Sequence, residues 1–117
     1  MARKVTYWIA TGLVAAFGLL GGVMYLLGSE QVVTGFAKVG YPQQLRVLLG
    51  IAKPLGVIAL LMPGWPRLKE WAYAGFTFAW IAAIVAHYRA EGAAAAMPPA
   101  ALLVLLAVSY ATRPAGR

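Results

Sequence analysis

The sequence predicts an all-α integral membrane four-helix bundle, with a short interfacial helix between helices one and two. Hydrophobic residues make up 62% of the 117-residue chain and charged residues 11%, whereas soluble domains are about 25% charged. Four apolar runs, separated by turn-forming or charged segments, approach the length needed to cross a bilayer core. We expect one domain over residues 1–117, with helices at about 5–27, 43–62, 70–89 and 98–112.

The first predicted helix, 5–27, is an uncharged apolar run. It is longer than the hydrophobic region of a signal peptide, so we interpret it as a retained membrane span. Tyr25 near its end is typical of an interfacial aromatic belt. Gly18 and Gly22 form a GxxxG pair, which favours close helix packing. Both packing within the chain and dimerisation fit this pair.

The segment 28–41 has the pattern of a short amphipathic helix. Its apolar residues recur at helical spacing on one side: Val32, Val33, Phe36 and Val39. We expect this helix to lie in the membrane interface. Gly40 and Tyr41 then end the segment, and Pro42 suits the first turn of the next helix.

The second predicted helix, 43–62, carries Lys53 near its middle, followed by Pro54. A charge at the bilayer centre costs roughly 2.5–3.5 kcal/mol on insertion scales, so Lys53 should face a helix, water or a polar partner. Pro54 cannot donate to the carbonyl of Gly50, which leaves a second polar group near Lys53. Two interpretations stay open: Lys53 contacts a ligand, or it is a snorkelling side chain that stabilises the bundle.

The third predicted helix, 70–89, has a polar and aromatic face that should point away from lipid. That face contains Tyr73, Thr77, Trp80, Ile84 and His87. Before it, the turn at 63–66 leads into Arg67, Lys69 and Glu70, which we interpret as topology determinants and a solvated cap. After it, Gly92 and the alanines at 93–96 are expected to form a loop, and the last helix, 98–112, begins at two prolines. Three interpretations of this short helix stay open: it tilts little, it extends back through the alanines, or the bilayer thins locally.

The distribution of basic residues predicts the orientation in the membrane. If four helices span, one side holds six basic residues: Arg3, Lys4, Arg67, Lys69, Arg113 and Arg117. The opposite side holds Lys38, Arg46 and Arg89. The positive-inside rule therefore places both termini in the cytoplasm.

Four side chains form a candidate ligand-binding site in the outer half of the bundle: Lys53, Trp80, His87 and Tyr25. At 1.5 Å per residue, Lys53 lies ~12 Å, Trp80 ~15 Å and His87 ~4 Å below the outer surface. Lys53 or His87 could donate a hydrogen bond to the polar head of a lipid-like ligand such as a quinone. For His87 an interfacial histidine bonded to a backbone carbonyl is the alternative.

The composition excludes several kinds of chemistry. The chain has no cysteine, one histidine and no aspartate, so it lacks a thiolate nucleophile, a zinc ligand set and a serine–histidine–aspartate set. We expect no metal site, no intrinsic cofactor and no self-contained catalytic constellation, which leaves open whether the chain is part of an enzyme. Because the basic residues lie between apolar runs, we expect a lipid bilayer as the partner and no nucleic acid.

The stretch 40–92 resembles the DoxX-like family of small bacterial membrane proteins. The shared elements are Gly40-Tyr41-Pro42, Leu49-Gly50 with Lys53 and Gly56, Pro63, the RLKEWAYAGF string at 67–76, and His87. The first helix and Ser109-Tyr110 also fit. Where the family pattern has a serine before the histidine and often an acidic residue after the loop glycine, this chain has Ala86 and Ala93.

The resemblance implies a four-helix bundle in the bacterial inner membrane. The wider DoxX group is associated with a quinone-linked thiosulfate oxidoreductase and with oxidative-stress complexes, and distant animal relatives are assembly factors for membrane receptors. We expect an accessory protein that binds a lipid-like ligand, for example a quinone, or a membrane partner or second copy. The alternative is a membrane subunit of a quinone-linked oxidoreductase whose cofactor lies on a partner. A small transporter fits less well, because one internal charge offers little for alternating access.

Overall fold

The computed structural model describes residues 2–114, and these residues form five α-helices. They are α1 (Ala2–Leu27), α2 (Glu30–Lys38), α3 (Gln43–Leu61), α4 (Pro66–Glu91) and α5 (Ala93–Ala111). Helix α1 packs along α3 and α5, and α4 packs along the same two helices from the other side. The short α2 lies against α3 and α1. The prediction of an all-α chain is confirmed.

Within residues 2–114, three helices are long and apolar enough to cross a membrane: α1, α3 and α5. Helix α4 has 26 residues, as many as α1, but it is more polar and does not reach the same apolarity. Its polar residues lie at both ends and along the face that carries Tyr73 and Thr77. The prediction of apolar helices that suit a membrane therefore holds for three of the four long helices.

The boundaries of the first three helices lie close to the predicted ones. Helix α1 begins at Ala2, before residue 5, since arginine and lysine are good helix formers. The short helix α2 is present, and the Ser29 side chain accepts a hydrogen bond from the Val32 N–H at its start. Phe36 on its apolar side is buried. Helix α3 ends at Leu61, one residue before the predicted end.

The predicted start of the third helix at residue 70 is wrong, because α4 begins at Pro66. Proline suits the first turn of a helix, because the backbone N–H groups of that turn have no hydrogen-bond acceptor within the helix and the missing N–H of proline costs nothing there. Trp65 precedes it with a positive φ of 51°. This left-handed residue reverses the chain, so residues 62–65 suffice to connect α3 to α4.

The loop predicted at 93–96 is wrong, and the alternative that the last helix extends back through the alanines is confirmed, because α5 begins at Ala93. Alanine is the strongest helix former, and four alanines in a row extend the helix backwards from the two prolines. Gly92, with φ of 94°, makes the reversal between α4 and α5 alone. Pro98 and Pro99 therefore lie inside the helix.

Lys69 does not belong to a solvated cap, and that interpretation is wrong. Its side chain is fully buried. The ammonium donates hydrogen bonds to the carbonyls of Ala59 (2.9 Å), Leu60 (3.1 Å) and Met62. The last carbonyls of a helix have no partner within it and form the negative end of its dipole, so a cation is stabilised there. Lys69 thus ties the start of α4 to the end of α3.

The two glycines of the GxxxG pair pack against other helices of the same chain. A Cβ atom at Gly22 would lie 2.7 Å from Cδ of Pro54, and one at Gly18 would lie 3.1 Å from Cε1 of Phe76. Phe76 in turn stacks on Trp80, with ring centroids 5.0 Å apart. The pair therefore sets the close approach of α1 to α3 and the contact of the Phe76 side chain with α1, as the interpretation of packing within the chain predicts.

Candidate functional site

Lys53 points from α3 towards α1 and lies over an aromatic ring. Its Nζ atom is 4.4 Å from the centroid of the Tyr25 ring, and a Cβ atom at Gly21 would lie 3.5 Å from it. Gly21 on α1 therefore lies directly beside the ammonium, at ordinary van der Waals distance. A cation–π contact of this kind stabilises by about 0.5–2 kcal/mol. Among residues 2–114 no acceptor takes a hydrogen bond from Lys53, so its donors are open to water or to a ligand.

A groove of about 710 Å³ opens next to this contact, with α1, α2 and α3 on one side and α4 on the other. Tyr25 and His87 both line it. Most of its wall is apolar, including Val32, Phe36, Leu45, Leu49, Phe78 and Ala82. A largely apolar groove with a few polar groups at one side is the usual form of a site for a small amphiphile.

The polar rim of this groove is bridged by an ion pair. Lys38 at the end of α2 and Glu91 at the end of α4 both line the groove, and their charged atoms are 3.6 Å apart. Both side chains are more than half exposed, so the pair contributes little to stability. It nevertheless spans the opening between α2 and α4.

The structure brings three of the four predicted site residues together. Tyr25 and His87 share the groove, and Lys53 contacts Tyr25 and lines an adjoining cavity of about 330 Å³. The two spaces share three wall residues, Leu49, Gly75 and Ala79. Trp80 lies elsewhere: it is 3% exposed, belongs to the hydrophobic core and lines neither space.

A second polar cluster lies at the opposite end of the molecule, where α1, α4 and α5 meet. The Ser109 hydroxyl is 2.6 Å from the Thr11 hydroxyl and 2.7 Å from the Tyr73 hydroxyl. Tyr7, one turn before Thr11, is fully buried. Its hydroxyl faces Tyr73 but completes no hydrogen bond of ordinary geometry with the described residues. Buried hydroxyls from three helices thus converge at one point.

Glu70 and Arg113 extend this cluster to the surface. Nη2 of Arg113 donates to Oε1 of Glu70 at 2.9 Å, and the Tyr110 hydroxyl donates to the same oxygen at 3.2 Å. The guanidinium carbon of Arg113 lies 5.2 Å from the centroid of the Tyr110 ring. These contacts fasten the end of α5 to the start of α4. We name the seven residues the basic-end cluster: Tyr7, Thr11, Glu70, Tyr73, Ser109, Tyr110 and Arg113.

This cluster is not among the sites predicted from the sequence, although some of its residues stand out in the sequence pattern. Tyr7 and Thr11 are four residues apart and so lie on one helix face, and Tyr73 belongs to the polar face identified on the third helix. Ser109 is a lone hydroxyl in an apolar run. No local pattern connects these positions, because Thr11 and Ser109 are 98 positions apart.

We expect Ser109→Ala to lower the free energy of unfolding by about 1 kcal/mol, the usual size for hydrogen bonds between membrane helices. The hydroxyls of Thr11 and Tyr73 would lose their shared partner. Unfolding in mixed micelles, followed by circular dichroism, measures the change. Thr112→Val is the control, because the Thr112 hydroxyl bonds only backbone carbonyls of its own helix. A loss in the control as large as that in Ser109→Ala would contradict the role assigned to the interhelical bonds.

The chain shares the sequence pattern of a known protein family. Among proteins of curated function and among solved structures, none matches it. The sequence model of the DoxX-like family matches residues 9–109, which run from the first turns of α1 to the last turn of α5. This match includes both polar regions described above, apart from Tyr7 and the carboxyl-terminal Tyr110 and Arg113. The chain therefore belongs to the DoxX-like family.

Proposed function

We propose that this chain is an accessory membrane protein that binds a lipid-like ligand in the groove beside Lys53. One observation carries the proposal: the Lys53 ammonium lies over Tyr25, at the side of a largely apolar groove, with no hydrogen-bond acceptor among residues 2–114. A ligand with an acceptor oxygen on an apolar body matches both features. A quinone has this chemistry. Tyr25 and His87 would then contact its head, and Trp80 would support the site from the core.

We also propose that α4 is a fourth membrane span, which makes the fold a four-helix membrane bundle. Helix α4 packs along α3 and α5, two of the three apolar helices. It is joined to α3 by residues 62–65 and to α5 by Gly92 alone. Connections this short are typical of antiparallel neighbours in a bundle.

The same arrangement supports the proposal that both termini lie in the cytoplasm of a bacterial inner membrane. Nη2 of Arg3 is 3.5 Å from the carbonyl of Ala111, so α1 begins where α5 ends. The described basic residues at this end are Arg3, Lys4, Arg67, Lys69 and Arg113, against Lys38, Arg46 and Arg89 at the other. This excess favours the cytoplasmic side. Arg117, also included in the sequence-based count, lies outside the described residues.

A second candidate function is that of a membrane subunit in a quinone-linked oxidoreductase, with the electron-carrying cofactor on a partner. The open side of the groove favours it. Phe78 lines the groove at the middle of α4 and is 72% exposed, so a membrane redox protein packed against α4 would reach a bound ligand. The test compares reduction of the bound quinone in the purified chain alone and after membranes from the native host are added. Reduction only after the membranes are added would support this function over the first.

The proposed function is tested by extracting small molecules from gently solubilised protein and identifying them by mass spectrometry. We expect wild-type protein to retain a quinone or isoprenoid lipid, and Lys53→Met to retain at least about tenfold less, which corresponds to 1.4 kcal/mol. Lys53→Arg should also lose it, because a guanidinium is larger than an ammonium and would hold its donors in a different geometry over the Tyr25 ring. Met at position 53 would at the same time stabilise the empty protein.

Lys4→Met is the matched control, because it removes the same charge from an exposed position outside the groove. It should retain the ligand as wild type does. Equal retention by wild type and all three variants would remove Lys53 from the site. No retained molecule in any of them would favour a protein partner in place of a ligand.

A further inference from the structure

We propose that the basic-end cluster binds the phosphate head of an anionic phospholipid, with one acyl chain in the cleft between α4 and α5. This site lies at the opposite end of the molecule from the groove beside Lys53. It shares no residue with that groove and does not depend on the proposed function. Four observations support it: two unpaired donors, a cleft, an aromatic support for the cation and a surplus of positive charge.

Two buried polar atoms of the cluster lack a hydrogen-bond partner among residues 2–114. They are Nη1 of Arg113 and the hydroxyl oxygen of Tyr7. The second terminal nitrogen of Arg113, Nη2, donates to Glu70 at 2.9 Å. This bond holds the planar group in place, while the N–H groups of Nη1 have no acceptor among residues 2–114. A buried donor without an acceptor costs about 1–3 kcal/mol. An acceptor supplied by a ligand would remove this cost.

A cleft of about 520 Å³ runs between α4 and α5, and its polar end borders Arg113, which bonds the lining residue Glu70. Its polar end is formed by Glu70, Tyr73 and Tyr110, and its wall by Ala74, Leu103, Leu106 and Ala107. Thr77 also lines the wall, but its hydroxyl donates to the carbonyl of Tyr73 in its own helix. Tyr110 is 48% exposed, so the polar end is open to the surroundings. A cleft that is polar at one end and apolar along its length matches a molecule with a polar head and a hydrocarbon chain.

Arg113 lies over the two rings at the polar end of the cleft. Its guanidinium carbon is 5.8 Å from the Tyr73 centroid and 5.2 Å from the Tyr110 centroid. These contacts and Glu70 leave the guanidinium little freedom to turn. A planar guanidinium held in this way is the side chain best suited to bind phosphate oxygens, because its N–H groups match their geometry.

The charge at this end favours an anion. Arg3, Lys4 and Arg67 are exposed there, and Lys69 is buried against carbonyls of α3. Glu70 is the acidic residue at this end of the described chain, and both Arg113 and Tyr110 already bond it. The Arg113–Glu70 pair is neutral as a unit, so the exposed cations leave a net positive surface. Such surfaces attract anionic lipid heads in the membrane interface.

The proposal is tested by thermal unfolding of the full chain in a neutral detergent, followed by tryptophan fluorescence, with dioctanoyl phosphatidylglycerol as the probe. We expect the probe to raise the melting temperature of wild type in a saturable manner. In Arg113→Gln the half-saturating concentration should rise by about tenfold, which corresponds to 1.4 kcal/mol. In Arg67→Gln it should change by less than about twofold, because Arg67 carries the same charge at the same end outside the cluster.

Tyr7→Phe keeps the test valid if Arg113→Gln folds poorly. This variant removes only a hydroxyl that completes no hydrogen bond, so the protein without probe should be as stable as wild type or more stable. Its response to the probe should nevertheless weaken severalfold. Lys53→Met should respond like wild type, which separates this site from the proposed function.

Three outcomes would overturn the proposal. An equal loss of response in Arg113→Gln and Arg67→Gln would show general charge attraction. The same shift with inorganic phosphate would show a free anion in place of a lipid, and the same shift with dioctanoylglycerol would show that the cleft takes a chain without a phosphate. A weakened response confined to Arg113→Gln and Tyr7→Phe, with the phospholipid alone as effective probe, would support it.

Discussion

Replacing Lys69 with methionine should lower the free energy of unfolding by about 3 kcal/mol, because several buried carbonyls would lose a charged donor at once. The ammonium of Lys69 bonds the carbonyls of Ala59, Leu60 and Met62 at the end of α3. Methionine has a similar length but no donor. The change should appear as a lower midpoint for unfolding by dodecyl sulfate in mixed micelles, followed by circular dichroism.

Lys4→Met is the control for this prediction, because Lys4 is a lysine at the same end of the molecule but is exposed. It should change the unfolding free energy by less than about 0.5 kcal/mol. Lys69→Arg should fall between the two, since it keeps the charge but places a larger group in a space that fits an ammonium. If Lys69→Met and Lys4→Met unfold at the same midpoint, the carbonyl contacts do not stabilise the junction of α3 and α4.

Replacing Gly22 with alanine should destabilise the protein by about 2 kcal/mol through overpacking. The new Cβ atom would lie 2.7 Å from Cδ of Pro54 and 3.1 Å from Cβ of Lys53. The proline ring is rigid, so α1 and α3 must move apart. That movement would also separate Tyr25 from Lys53, so we expect Gly22→Ala to lose stability and retained ligand together.

Gly12→Ala provides an unusually close control on the same helix. A Cβ atom there would meet nothing within 4 Å. The substitution should therefore raise the free energy of unfolding by about 1 kcal/mol, because alanine has the higher helix propensity. The two glycine substitutions should therefore shift stability in opposite directions. Destabilisation of similar size in both would show that flexibility of α1, and not its close packing on α3, is what the glycines provide.

These two predictions concern contacts that hold the candidate sites in place. Lys69 fixes the turn from α3 to α4, which positions Glu70 in the basic-end cluster. Gly22 sets the separation of α1 and α3, which brings Tyr25 over Lys53. A change in either contact should therefore disturb a site that the substituted residue does not line.

Much of the fold could be predicted from the sequence because it depends on neighbouring residues. The spacing of its apolar residues predicts helix α2, and the end of the uncharged apolar run predicts the end of α1 at Leu27. The two wrong boundaries also have local causes. Pro66 is a better helix start than residue 70, and the alanines at 93–96 favour helix over loop.

The candidate site could be predicted only in part, for a different reason. Lys53 was identified because a charge in an apolar run needs a partner, but its partner, the ring of Tyr25, lies on another helix. Trp80 shares a helix face with His87, yet it stacks in the core on Phe76. Spacing along one helix gives the face a residue occupies, but the depth and rotation of the neighbouring helix decide what that face contacts.

The all-α membrane-type architecture, the helices and the family are predictable from the sequence, because composition, periodicity and motif residues are properties of the chain before it folds. Which polar side chains meet depends on how the helices pack. The sequence predicts Lys69 to be a surface cation, but its side chain is buried and caps the end of α3. Ser109 is an isolated hydroxyl in the sequence, but in the fold it joins three helices through its hydrogen bonds. The physical reason is that a buried polar group must find its partner across helices, and glycine contacts such as Gly22 on Pro54 set where those helices meet.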